Sequence, residues 1–300
     1  MKLAAYDYAY VEFFVDLDQG LFEFLKGQGL SERFIKGSYR KSLIKINNKE
    51  PKFPFQLYKN DLVRIYYEDQ TPRTQACSYA DLDIVYENEN FLLLNKAPGI
   101  SVHPTFSRQK NTLLDKLGSY FKDQQIHRPV RLVNRLDLET SGLILVAKNP
   151  LFQDQVSRDF GSGLVEKSYL ALVQGNFKEK ILLEKEILDQ EDFKMKRIVD
   201  PRGKMAITSL VPLKSTESYS LVQAQPLTGR SHQIRVHLAY LGHPILADQL
   251  YGKNSDLISR CALHSHSLSF VDPFSKERKS FKAKVPADME VLIKGLGLKI

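Results

Sequence analysis

Asp137 lies in the run Val133-Asn134-Arg135-Leu136-Asp137-Leu138-Glu139-Thr140-Ser141-Gly142, two residues after an arginine and two before a second carboxylate. A loop carboxylate can act as a nucleophile, promote departure of a leaving group, or share acid–base work with a neighbouring acid. Taken alone, an Asp in such a loop more often caps a backbone turn. The context favours chemistry. Ser141-Gly142 leads into the apolar run 143–147, too short for an ordinary helix and read as a buried strand. Reactive side chains on a loop held by a rigid strand are a common way to build a site.

A second reactive cluster is Thr228-Gly229-Arg230-Ser231-His232-Gln233-Ile234-Arg235-Val236-His237-Leu238. Ser231 is placed to cap a helix running to about Leu241, with Gly242 at its end and Pro244 just beyond. Arg235 then falls in the first turn, and Ile234, Leu238 and Leu241 face the core. His232 and His237 are five apart and share no helical face, so hydrogen-bonding or ligand-contacting histidines are favoured over an acid–base pair. His264 and His266 alternate on an expected strand, without the Cys or carboxylate partners that would argue for metal.

The elements that must position these residues follow from periodicity. Strands are expected at 84–86 and 91–95 around a Glu-Asn-Glu-Asn turn, at 166–175, at 219–225 and at 262–270. Helices are expected at 112–121 and 150–160. The stretch 184–211 suggests strands without firm positions. Many strands with a few interspersed helices predict an α+β domain on a large, mostly antiparallel sheet over residues 78–300.

Residues 1–75 read as a smaller unit. From Lys26 to Lys59 there are nine basic residues and two acidic ones, Glu32 and Glu50. Leu21, Phe24, Leu25 and Leu30 have near-helical spacing, with a stop at Gly27 to Gly29. Ser31 caps a second expected helix that buries Phe34 and Ile35. A strand at 42–47, an Asn47-Asn48 turn and a closing strand at 59–65 follow. Thr71-Pro72-Arg73-Thr74-Gln75 reads as a linker.

Composition bounds the function classes. With 43% hydrophobic and 26% charged residues, the 300-residue chain can bury a sizeable core. The net charge of +8 favours a polyanionic partner. Cys77 and Cys261 are the only cysteines, so no disulfide framework or cysteine-rich zinc site is available. Asp7, Glu12, Asp16 and Asp18 break up the first twenty residues, and no run reaches the 18 or so apolar residues of a membrane helix. The expectation is a soluble, cytoplasmic protein with no membrane association and, by default, a monomer.

Several motifs in one order resemble the RluA-type pseudouridine synthases: Pro98-Gly99 with His103-Pro104, Asn134-Arg135-Leu136-Asp137, Lys167-Ser168-Tyr169-Leu170, Thr228 to Leu238, Asp248-Gln249-Leu250-Tyr251-Gly252 and Leu263-His264-Ser265. They span roughly residues 80–290. The N-terminal unit resembles the alpha-L (S-four-type) RNA-binding motif, a frequent companion of that family. Without the resemblance it is a small helical cap with a solvated basic face.

The resemblance implies isomerisation of selected uridines in structured RNA, ribosomal or transfer, the base being detached from its ribose, turned and rejoined through carbon 5. Neither cofactor nor metal is implied. Asp137 is the implied catalytic carboxylate, with Arg235 pairing to it and Tyr169 packing against the extruded uracil. Arg135 is implied to fill the space that the uridine leaves. Arg230 and His232 are expected RNA contacts, with Arg230 a rival to Arg235. Lys36, Arg40 and Lys41 are expected to contact phosphates in the N-terminal unit. The chain departs from the family pattern at Asn134, where many members carry His. Two other readings are a non-catalytic RNA-binding or ribosome-assembly factor on the same scaffold and, more remotely, a glycoside hydrolase pairing Asp137 with Glu139.

Overall fold

The computed structural model describes residues 3–7, 10–52, 54–66, 76–104, 110–126, 128–189 and 196–298. The expected linker at 71–75 lies outside the described residues. The chain opens with β1 (Leu3–Asp7), β2 (Tyr10–Phe14) and β3 (Gln19–Gly20), followed by α1 (Leu21–Gly27) and α2 (Glu32–Arg40). Then come β4 (Ile44–Ile46), β5 (Gln56–Leu57) and β6 (Leu62–Tyr66). The sheet order β1-β2-β6-β4 backs the two helices. Ser31 caps α2 by accepting from the Phe34 amide, as expected, and Ile35 is buried. Asn47 and Asn48 both take positive φ, which closes the turn after β4. The sequence reading placed no strand before residue 20. There acidic residues alternate with apolar ones, and Val11 and Phe13 point into the core.

The larger sheet is built from β7 (Ile84–Glu87), β8 (Phe91–Lys96), β9 (Arg131–Leu132), β10 (Ser141–Ala147), β11 (Glu166–Gln174), β12 (Ile181–Asp189), β13 (Arg197–Val199), β14 (Lys204–Ser215), β15 (Tyr219–Pro226), β16 (Leu263–Val271) and β17 (Arg278–Lys282). Four helices accompany it: α3 (Leu113–Asp123), α4 (Pro150–Ser162), α5 (Gln233–Tyr240) and α6 (Ala287–Gly295). The order is β13-β12-β14-β15-β11-β16-β10-β8-β7, with β17 paired to β16 and β9 to β10. Every pairing is antiparallel except β10 with β16. The expected α+β class and mostly antiparallel sheet are therefore present.

All seven residues of β10 are buried, because its two faces lie in different cores. Leu143, Leu145 and Ala147 join Phe91, Phe152 and Phe270 on one face, while Ile144 and Val146 meet Leu117 and Phe121 of α3 on the other. Gly142 has φ near 111°, and a Cβ there would overlap the backbone of Ser265. The parallel contact that holds the start of β10 to β16 thus requires glycine. Thr112 and Asp115 form a reciprocal cap for α3, and Asn149 with Pro150 starts α4.

Candidate active site

The loop between β9 and β10 is gripped along its length. Asn134 accepts from the Leu145 amide at 2.7 Å and donates to the Leu143 carbonyl at 3.2 Å, so its amide group extends the sheet edge. Beyond Asp137, the Leu138 carbonyl receives the Gly99 amide and the Lys96 ammonium. The Glu139 carbonyl receives Arg260, which is buried and forked onto Asp288 at 2.7 and 2.8 Å. The Glu139 carboxylate accepts the Cys261 amide at 2.9 Å, beside the Cys261 thiol that lies against Asp248.

Lys96 donates to three carbonyls, those of Ala97, Ile100 and Leu138. Burial pushes its pKa down to about 7, nearby Arg260 adds to that push, and Asp137 opposes it. Three acceptors match the three donors of an ammonium, so this geometry belongs to the charged form.

Helix α5 brings Arg235 to Asp137, Nη1 to Oδ2 at 3.2 Å, as the resemblance implied. The stronger partner is Asp248, whose two oxygens accept Nε and Nη2 at 2.8 Å each. Asp248 is fully buried and also accepts the Leu250 and Tyr251 amides, whereas the Asp137 side chain is 33% exposed. Burial works against ionisation of Asp248, but the Arg235 guanidinium more than offsets it and holds the carboxyl below its usual range. Asp248 opens the motif Asp248-Gln249-Leu250-Tyr251-Gly252. Nothing in its sequence neighbourhood says that it faces Arg235; the tight turn after it, with two amides on its side chain, decides that.

Ser231 does not cap α5. The N-cap is His232, in the left-handed region at φ 55°, and it makes no side-chain capping bond. Gln233 fixes the turn before the helix: its Oε1 accepts from Thr228 and from the Arg230 amide, while its Nε2 donates to Ile207 and Thr208 on β14. The turn therefore locks onto the sheet and aims His232 at the site, with Nε2 3.9 Å from Asp137 Oδ1 and Nδ1 bonded to the Tyr251 hydroxyl at 2.9 Å. Burial lowers the His232 pKa despite the nearby carboxylate, so the ring is neutral at neutral pH. His237 points the other way, buried against Thr208. Arg230 is exposed, and its Nε donates to the Met205 carbonyl, which leaves Arg235 as the partner of Asp137.

Tyr169 packs between the core under α5 and the core under α3. Burial pushes its hydroxyl pKa up to about 12, with a hydrogen bond to Ser265 opposing the shift and Asp137 adding to it. It is a neutral phenol beside a carboxylate, a ring face with one donor. Arg135 is exposed at the head of the loop. Lys36, Arg40 and Lys41 lie on the exposed side of α2 and the turn after it, far along the chain from the loop; Lys36 pairs with Glu32 at 3.3 Å and sits over the Phe22 ring. His264 bonds Ser141 at 3.0 Å. Among the described residues no group of three or more His, Cys, Asp or Glu could hold a metal ion.

A pinned arginine presents a partly exposed carboxylate near a partly buried phenol, and comparison with known proteins gives the class. Residues 90–240 match the model of the RNA pseudouridylate synthase family. The chain belongs to that family. It is 35% identical over 84% of its length to the uncharacterized RNA pseudouridine synthase YjbO of Bacillus subtilis (strain 168), covering 90% of that protein. It is 32% identical over 94% of its length to the ribosomal large subunit pseudouridine synthase C of Vibrio parahaemolyticus, covering 96% of it. Among solved structures it is similar to human RNA pseudouridylate synthase domain containing 1, with a TM-score of 0.59 and 26% identity over 75% of this chain and 98% of that one. The enzyme is an RNA pseudouridine synthase, an isomerase. Among the described residues no helix is long and apolar enough to cross a membrane.

Proposed function

We propose that this synthase isomerises specific uridines in structured ribosomal RNA, with Asp137 as the catalytic carboxylate. The observation that carries this reading is the division of labour around Arg235: two of its nitrogens are committed to buried Asp248, and the third holds Asp137 while that carboxylate stays open to a ligand. Asp137 acts at the ribose–base junction, as a nucleophile or by promoting loss of the base. Tyr169 supplies a stacking face and a proton-bearing hydroxyl for the detached uracil, which must turn without escaping. The bond from ribose to nitrogen 1 breaks, the bond to carbon 5 forms, carbon 5 gives up its proton and nitrogen 1 takes one up, so atoms balance with no co-reactant.

Arg135, at the exposed head of the loop, stacks into the gap left by the extruded nucleotide. Arg230 and His232 flank the opening as RNA contacts. The N-terminal unit, over roughly residues 1–75, is read as an alpha-L-type RNA-binding domain whose Lys36, Arg40 and Lys41 neutralise phosphates. Ribosomal RNA as substrate is supported by relatives named as large-subunit enzymes. A cytoplasmic location and a monomeric state go with this reading.

The test is a pseudouridine map of total RNA from wild-type cells, a deletion strain and a strain expressing Asp137→Asn. Sites lost in the deletion and still missing in the Asn strain, with the variant folded, are the expected result. Restoration of those sites by Asp137→Asn would remove Asp137 from the chemistry. Loss of no site in the deletion, together with an inactive purified protein on unmodified ribosomal RNA, would favour the non-catalytic RNA-binding factor.

A further inference from the structure

Helix α4 has two buried faces. Phe152 and Val156, with Phe160 partly buried, pack on the large sheet. Leu151, Asp154, Gln155 and Arg158, at helical spacing i, i+3, i+4 and i+7, face the N-terminal unit instead. Leu151 is fully buried in that unit's own core. Asp154 accepts the Ser31 amide at 3.0 Å and the Ser31 hydroxyl at 2.6 Å. The same hydroxyl caps α2 through the Phe34 amide, so an anion from the catalytic domain completes the N-terminus of the basic helix, where the helix dipole favours negative charge. Gln155 donates to the Gln28 carbonyl at 3.0 Å, and Arg158 donates to the Gly29 carbonyl. Gly29 has φ near 83°, and a Cβ there would crowd the Gln155 amide.

All of these polar contacts grip one short turn, residues 28–31 between α1 and α2. On the far side of α2, Arg33, Lys36 and Arg40 are exposed and share a face. A turn held by three side chains of one rigid helix sets both the direction of that basic face and its separation from Asp137.

We propose that Asp154, Gln155 and Arg158 are positioning residues that dock α2 at a set distance from the catalytic loop. The substrate is then a folded RNA that presents a second backbone element at that distance from the target uridine. The inference rests on the RNA-directed reading above for its consequence, though not for the dock itself. Two binding units joined rigidly favour ligands whose two features match the span, and lose that preference when the geometry relaxes.

The test compares the full chain with the variant Asp154→Ala/Arg158→Ala. Nitroxides are placed at Lys52→Cys and Glu179→Cys, one exposed on each unit, in a Cys77→Ser background; Cys261 is buried and stays unlabelled. Activity is measured on unmodified full-length ribosomal RNA and on a short stem-loop around the mapped uridine. The expected result is a narrow spin–spin distance distribution that broadens in the variant. KM for full-length RNA should rise about tenfold, with kcat/KM on the stem-loop within about twofold.

A distribution that stays narrow overturns the dock. A broadened distribution with unchanged KM overturns its role in choosing RNA, and so does an equal loss on both RNAs, which is what a merely structural role would produce. If the unsubstituted chain modifies neither RNA, the RNA-directed reading fails, while the distances still decide whether the dock exists. Ser31→Ala, which removes one of the two donors to Asp154, should give an intermediate distribution; a wild-type distribution there would also count against the dock.

Discussion

Asp248→Asn separates anchoring from chemistry at this site. Asp248 is fully buried and accepts four hydrogen bonds from Arg235, Leu250 and Tyr251, two of them charged. Asn removes the charge and puts an amide donor where one oxygen had accepted from the guanidinium. Breaking a buried ion pair from one side costs about 3–5 kcal/mol, because the other charge stays behind. For a domain of this size each kcal/mol moves Tm by about 2–4 °C, so Tm should fall by about 6–20 °C. Activity should fall as well, since an arginine freed from its anchor no longer sets Asp137, and misplacement by about 1 Å costs on the order of 100-fold in rate.

Asp137→Asn is the control. Asp137 makes one contact with Arg235 at 3.2 Å and is 33% exposed, so the pair is screened by solvent and contributes about 1 kcal/mol at most. The variant should melt within a few degrees of wild type and be inactive. The assays are thermal unfolding by circular dichroism and single-turnover pseudouridine formation. If Asp137→Asn lost as much stability as Asp248→Asn, or Asp248→Asn melted like wild type, the assignment of one aspartate as anchor and the other as reactant would be wrong.

His237 and His264 are buried, and burial lowers each pKa from 6.5 to about 4. Between those values the unfolded chain binds protons that the folded chain refuses, so stability falls as pH drops from 6.5 towards 4, by roughly 3 kcal/mol per histidine at most. Urea unfolding at pH 7 and pH 4.5 should show this, and His237→Gln/His264→Gln should flatten the dependence; an unchanged slope would locate the acid sensitivity elsewhere. Asn134→Ala removes two bonds to the β10 backbone and should cost about 1–3 kcal/mol in stability. Asn134→His should retain activity, because residue 134 shapes the loop and its ring need not titrate. A variant that folds yet loses all turnover would assign that position a chemical role.

Local pattern alone determined a good deal here. The buried strand after the Asp137 loop, the capped second helix of the N-terminal unit and the strand carrying Tyr169 are each encoded by neighbouring residues, through alternation, helical spacing and Ser31 as a cap. The Asp137–Arg235 partnership is implied by resemblance, and the fold sets the two side chains 3.2 Å apart. The start of α5 was misread because Ser231 is a good cap by type. Gln233 bonded to β14 outweighs it, and that contact exists only once the sheet has formed.

Strand β2 is short and interrupted by Glu12, and it gains its stability from β6, a partner distant in sequence, so its own residues give little sign of it. The tertiary structure alone decided that Asp248 anchors Arg235, that Lys96 and Arg260 hold the loop carbonyls, and that Asp154 caps a helix from more than one hundred residues away. Each of these is a charge brought out of water onto a partner that only the packed fold supplies. A charged residue in the sequence carries no sign of whether it will meet solvent or that partner, since burial is a property of the packed fold.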